Sequence, residues 1–581
     1  MRFQLIALVI IPLASSVIFS NFPVITTSYG SVRGYKFTAE DGTEAHIFKK
    51  VPFASAPVGD LRWRKPQPHG PWNKTLDGTF FGPACAQKTD KYTGPVTGFS
   101  EDCLHLNVYT RQECVESNST CPVVFLIHGG AGLYESTMKF PDETLVRNFV
   151  SQGIVVVSAA YRLGALGAMD LGDENALPAN LGFHDILAAL NFTRDEIGHF
   201  GGDRERITVL GQSAGAQYAL MIAFSPGISK PGEKRLINGA IVMSGNAAIE
   251  FRENMVERSH NVAKEVNCSG TAQEIVDCMR RLDTETIVDA AHKVNGPSIT
   301  SRKSPFGITM SGELFPIANE RELREDRNPV RLMIGTTIFE VEGGTSGTDR
   351  INRILGVKNA KECRDKYLKD VESGAFKPGY TDTSQEFLMT AHVYAKYTAE
   401  IGGEAYLYEY GYPVHGSHTD DAYFVLGYHG FEMDENEKWL SRVYPRYFAN
   451  FIRGERPAKD WSPVTPLLMN YYSVNKSRTH DVYPHTKYGY QQNIVKYYDD
   501  LVKYDNVLSH VKQQILNAPV EYKSLNFEGN FQNFLESLTI VDAIIFFCVV
   551  VGVICLLFCL CNYFTSLCCC CCSRGRGYEP F

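Results

Sequence analysis

Six short, almost unbroken apolar runs constrain the fold of this chain more than any other feature: "PVVFLIH" (122–128), "GIVVVSA" (153–159), "RITVLG" (206–211), "GAIVMSG" (239–245), "PVRLMIG" (329–335) and "EAYLYEYGY" (404–412). Val/Ile/Leu runs that do not alternate with polar residues predict strands buried on both faces, and such strands belong to parallel sheets covered by helices. The segments between the runs are long enough to be those helices. No internal repeat or low-complexity linker interrupts residues 21–525, so the expected fold class is α/β, one large domain around a mostly parallel central sheet. A chain of 581 residues, 44% of them hydrophobic, can supply that core. Its net charge of -8 has no block of basic residues behind it, which excludes nucleic acid as the main partner.

Both ends of the chain read differently from the middle. "MRFQLIALVIIPLASSVIFS" (1–20) has one Arg, an apolar stretch and then small residues, the pattern of a secretory signal peptide. "AIIFFCVVVGVICLLFCLC" (543–561) is uncharged and long enough to cross a bilayer as one transmembrane helix. Glu528, Glu536 and Asp542 precede it while Arg574 and Arg576 follow, which orients the tail 562–581 to the cytosol and residues 21–525 to the lumen or outside, joined by a stalk at 526–542. Cysteines agree with this division. Cys85 with Cys103, Cys114 with Cys121, and Cys268 with Cys278 are close in sequence and expected as disulfides, with Cys363 outside these pairs. The run "CCCCC" (568–572) lies past the span, where S-palmitoylation is the expected chemistry and metal binding the alternative. N-x-S/T sequons at Asn73, Asn118, Asn191, Asn267 and Asn475 all precede the span and suit a glycosylated luminal domain, although Asn191 falls inside an expected helix.

The chemistry centres on "TVLGQSAGAQ" (208–217). The run ending at Leu210 is an expected strand, Gly211-Gln212-Ser213-Ala214-Gly215 the turn, and "AQYALMIAF" (216–224) a helix. Flanking glycines are what a sharp strand-to-helix elbow requires, and such an elbow exposes a serine hydroxyl at the carboxyl edge of the sheet. A plain helix-capping serine is the alternative reading of Ser213. Upstream, "FLIHGGAG" (125–132) runs a strand into a glycine-rich turn of the kind that supplies backbone donors to an oxyanion. Gly130, Ala131 and Ala214 are the candidate donors.

At this point the chain resembles the type-B carboxylesterase and cholinesterase family of the α/β-hydrolase fold. The resemblance spans about residues 22–525 and rests on "GSVRGYKF", "VPFASAPVGDLRWRKPQP", "SEDCLHLNVYT", "LIHGGAG", "AYRLGALG", "NLGFHDILAAL", "FGGDRERITVLGQSAGA" and "VMSG". It implies an α/β-hydrolase fold and a Ser-Glu-His triad. Counting on from Gly335 in "IGTTIFEVEGG" puts Glu340 in the acid's position, with Glu342, which precedes a glycine, as its rival. The family's histidine has an acid three residues on and a glycine nine residues on. His418 matches with Asp421 and Gly427, whereas His415 does not. The implied reaction is hydrolysis of small-molecule esters through an acyl-enzyme, with no cofactor and no metal. The same intermediate permits an acyltransferase that joins small metabolites, and the C-terminal anchor resembles that of membrane-tethered nematode members of the family, including intestinal carboxylesterases.

Two family functions fit less well. Cholinesterases grip choline with a tryptophan in the loop that here runs from Cys85 to Cys103, and this loop has none; Tyr92 and Phe99 are its remaining π-faces. The acidic residue that cholinesterases place before the nucleophile is neutral Gln212 here. Non-catalytic adhesion relatives share the topology but lose triad members. In the tail, Tyr578-Glu579-Pro580-Phe581 has the form of a sorting signal read by a coat adaptor, which favours a lysosome or lysosome-related organelle over the plasma membrane.

Overall fold

The computed structural model describes residues 22–517 except 89–95, 97, 118–119, 229–231, 248, 296–305, 326 and 342–346. The expected leader, stalk, span, cysteine run and sorting signal lie outside these residues, as do Tyr92, Asn118 and Glu342. Among the described residues no helix is long and apolar enough to cross a membrane, and no group of three or more His, Cys, Asp or Glu could hold a metal ion. The chain divides into two compact units, residues 1–509 and 510–581. Of the second, only the last turns of the helix Gln492–Asn517 are described.

The first unit is built on an eleven-stranded mixed sheet. In chain order its strands are β1 (Tyr35–Thr38), β2 (Glu44–Pro52), β3 (His105–Thr110), β4 (Cys121–Ile127), β5 (Val155–Ala159), β6 (Gly202–Gln212), β7 (Gly239–Met243), β8 (Arg331–Thr337), β9 (Glu404–Tyr410), β10 (Tyr471–Val474) and β11 (His485–Lys487). The spatial order is 11-10-9-8-7-6-4-5-3-2-1. Strands 5-4-6-7-8-9-10 pair in parallel, and the two edges are antiparallel. The six apolar runs are β4 to β9, although β8 extends three residues beyond the stretch 330–334 expected from its apolar core.

These strands are buried on both faces because successive side chains point to opposite sides. In β4, Val123, Phe125 and Ile127 enter one core while Val124 and Leu126 enter the other. β5 repeats the division, with Val155 and Val157 on the first side and Val156 on the second. Three disulfides, Cys85–Cys103, Cys114–Cys121 and Cys268–Cys278, close loops of the domain, and Cys363 is buried outside them. Asn73, Asn191 and Asn267 are exposed and Asn475 is half-buried; Asn191 lies on the helix Leu181–Glu196.

Candidate active site

The site assembles where neighbouring parallel strands end. β6 runs into a turn at Ser213, and the helix Ala214–Phe224 starts at the next residue. A Cβ on Gly211 would sit 2.0 Å from the Gly215 carbonyl oxygen, and one on Gly215 would sit 2.1 Å from that of Ile127. No side-chain carbon tolerates such separations in a close-packed interior. Ser213 takes φ 56° and ψ -123°, a conformation an L-residue holds only when its surroundings impose it. Its N–H donates to the Met243 carbonyl at the end of β7, 3.0 Å away. The capping alternative fails, because the Ser213 side chain makes no cap hydrogen bond to the helix that follows.

The imidazole comes from beyond β9. Past β8 and β9 the two chains stay paired, with the Phe339 N–H donating to the Gly416 carbonyl (2.9 Å) and Phe339 bridged to Ser417. This pairing sets Glu340 beside His418. His418 Nδ1 donates to Glu340 Oε2 at 2.5 Å, and the Thr337 N–H donates to Glu340 Oε1 at 2.9 Å. A carboxylate at Nδ1 keeps the proton on that nitrogen, which leaves Nε2 as an acceptor. Ser213 Oγ donates to Nε2 across 2.9 Å. The Glu340 side chain is fully buried and that of His418 is 16% exposed, so the acid is locked while the ring faces the site. His415 is elsewhere engaged: its Nδ1 lies 2.6 Å from Glu437 Oε1 and its ring stacks on Phe431.

Gly130 and Ala131 both have positive φ, 91° and 55°. The N–H groups of Leu133 and Tyr134 donate to the Gly130 carbonyl and close that turn. Among the described residues no acceptor is bonded to the N–H of Gly130, Ala131 or Ala214, and Ala214 opens its helix, where N–H groups are left over. All three line one cavity of about 450 Å³ together with Ser213 and His418. Its apolar wall includes Ile249, Ile308, Val341 and Phe387; the Phe387 ring stands edge-on to His418, 5.3 Å away. Phe99 is 41% exposed and is not among the lining residues.

Buried groups support the site from behind. Asp421 accepts from the Tyr444 hydroxyl at 3.0 Å, and burial followed by the charge of Glu340 pushes its carboxyl up to about 7. Gln212 is buried and accepts from the Tyr428 hydroxyl at 2.7 Å. Sequence reasoning missed Glu135, Lys139 and His429, which also line the cavity. The signal available for the first two was their isolation: they are the only charges between residues 129 and 141.

Comparison with known proteins identifies the family and the fold. Residues 21–496 match the carboxylesterase family. An acylcarnitine hydrolase of Rattus norvegicus is 31% identical over 76% of this chain and 85% of its own length. Liver carboxylesterase 1 of Oryctolagus cuniculus is 28% identical over 76% and 87%. The crystal structure of juvenile hormone esterase from Manduca sexta, with OTFP covalently attached, superposes with a TM-score of 0.67 at 21% identity and covers 83% of this chain and all of that one, which establishes the α/β-hydrolase fold. The chain belongs to the carboxylesterase family and is a carboxylesterase-type hydrolase.

Proposed function

We propose that the enzyme cleaves small, non-choline esters through an acyl-enzyme on Ser213. A serine hydroxyl is too weak an acid to attack an ester unaided, so His418 Nε2 takes its proton as Oγ bonds to the carbonyl carbon. Glu340 orients the imidazole and offsets its positive charge. The N–H groups of Gly130, Ala131 and Ala214 receive the oxyanion, each contributing on the order of 3 kcal/mol in the transition state. Collapse breaks the bond to the alkoxide, which leaves as the alcohol with the proton held by His418. Water then attacks the acyl carbon as His418 takes its proton; the acyl–Oγ bond breaks, His418 returns that proton to Oγ, and the carboxylic acid leaves free Ser213 behind. The observation that carries this reading is the continuous chain of hydrogen bonds from Ser213 through His418 to Glu340 at the cavity wall.

Neutral Gln212 and a Cys85–Cys103 loop without tryptophan argue against choline as the alcohol. The rat relative is named for acylcarnitines and a Tribolium castaneum relative for juvenile hormone, so unlike alcohols suit this scaffold. Transfer of the acyl group to a second alcohol or amine uses the same intermediate and is read from the product ratio. The test is labelling by a fluorophosphonate together with 4-nitrophenyl butyrate hydrolysis. Both are expected in the wild type and absent from a folded Ser213→Ala variant; equal labelling of the two would refute the assignment. A leader at 1–20, an anchor at 543–561 and a sorting signal at Tyr578–Phe581 belong to the same reading, of a luminal domain in a lysosome-related compartment. Membrane association that survives truncation after residue 542 would remove the anchor.

A further inference from the structure

The cavity wall beside the reactive serine contains an ion pair with no role in the acyl-enzyme chemistry. Lys139 Nζ lies 2.9 Å from Glu135 Oε2, and both side chains are 3% exposed. The ammonium also sits 3.7 Å from the centroid of the Tyr428 ring, and the Tyr428 hydroxyl donates to Gln212, the residue before Ser213. His429 Nε2 is 3.5 Å from Glu135 Oε1. Glu135 is held in place by its backbone: φ is 85°, its N–H donates to Gln87 Oε1 at 2.7 Å, and Gln87 Nε2 donates to its carbonyl at 2.8 Å. A Cβ on Gly130 would lie 2.6 Å from Glu135 Cγ, so the acid is stacked directly on the oxyanion turn. Burial alone would raise the Glu135 carboxyl, but the His429 hydrogen bond and the Lys139 charge hold it below the ordinary range.

A buried ion pair contributes little to stability compared with apolar packing, because both ions must be stripped of water. Its place in the cavity wall is better explained by what the cavity receives. Glu135 offers an acceptor and Lys139 a donor, side by side, and their charges offset each other. A substituent with one full charge is attracted by one partner and repelled by the other. A hydrocarbon brings the pair neither a donor nor an acceptor. A hydroxyl is donor and acceptor at once and satisfies both. Resting on the esterase reading of Ser213, we propose that Glu135 and Lys139 are specificity residues that recognise a hydroxyl group near the ester, so that the preferred substrates are esters of hydroxylated acids or polyols.

The experiment measures kcat/KM of the purified full-length protein on two matched pairs: propyl butyrate against 2,3-dihydroxypropyl butyrate, and methyl butyrate against methyl 3-hydroxybutyrate. The hydroxylated member is expected to be favoured by about tenfold or more in at least one pair, the scale of hydrogen bonds to charged groups. In Glu135→Gln/Lys139→Met, and in Glu135→Gln alone, that ratio is expected to fall toward one. Ratios taken within one enzyme cancel any general loss of activity. A wild-type preference below about twofold in both pairs overturns the inference, as does a preference that survives in a labelled variant. If neither variant folds, the wild-type ratios decide. Absence of both fluorophosphonate labelling and butyrate hydrolysis would instead count against Ser213 as nucleophile.

Discussion

Replacing Gly215 with alanine tests whether the elbow positions Ser213 through backbone contact. The added Cβ would lie 2.1 Å from the Ile127 oxygen and 2.8 Å from that of His128. Both obstacles are backbone, so no side-chain rotation relieves them. β4 is hydrogen-bonded on both sides, to β5 and to β6, so the start of the helix Ala214–Phe224 is the part that yields. Restoring ordinary contact requires a shift of about 1 Å, and Ser213 is two residues away. Overpacking of this kind costs about 1–3 kcal/mol of stability, while a misplacement of about 1 Å at the reacting group costs on the order of 10²-fold in rate. Gly215→Ala is therefore expected to fold with a lowered Tm and to hydrolyse 4-nitrophenyl butyrate about a hundredfold more slowly, with fluorophosphonate labelling slowed in step. Gly70→Ala is the control, since a Cβ there meets nothing within 4 Å. Gly215→Ala with wild-type kcat/KM would show that the elbow is not what places the hydroxyl.

Two further variants probe the acids. In Glu340→Gln the Thr337 N–H retains the amide oxygen, which turns the NH₂ toward His418 Nδ1; the ring must then carry its proton on Nε2 and cannot accept from Ser213. The expected loss in kcat is about 10⁴-fold with an unchanged Tm, and a loss below about tenfold would deny the acid its orienting role. Asp421 has its carboxyl raised to about 7 by burial and the charge of Glu340. A folded-state value above the unfolded one means that its contribution is complete below the ordinary carboxylate range and is lost as pH climbs through 7, up to about 4 kcal/mol. Asp421→Asn cannot ionise, so its Tm is expected to exceed the wild type most at about pH 8, with the gap closing toward about pH 5. A gap independent of pH would refute this.

The six central strands were legible because burial on both faces leaves a run that needs no partner to be recognised. β1, β2, β3, β10 and β11 were not read as strands, since polar residues interrupt their apolar runs, and β1 and β11 are short and only partly buried. Ser213, Glu340 and His418 were reached by local signals: two glycines around a serine, a count from Gly335, and an acid and a glycine at fixed distances. Each of those signals lies within ten residues of the group it marks. Sequence could not choose between Glu340 and Glu342 by contact, because the partner, His418, is remote in the chain. The buried ion pair shows the same limit more sharply. Glu135 and Lys139 look like ordinary surface charges until Gln87, Tyr428 and His429, drawn from segments up to about 340 residues apart, close over them. Local sequence thus determined the six central strands, the elbow and the reactive types. Desolvation, and with it the character of the substrate cavity, was decided only by tertiary packing, because burial is a property of neighbours that the chain does not place nearby.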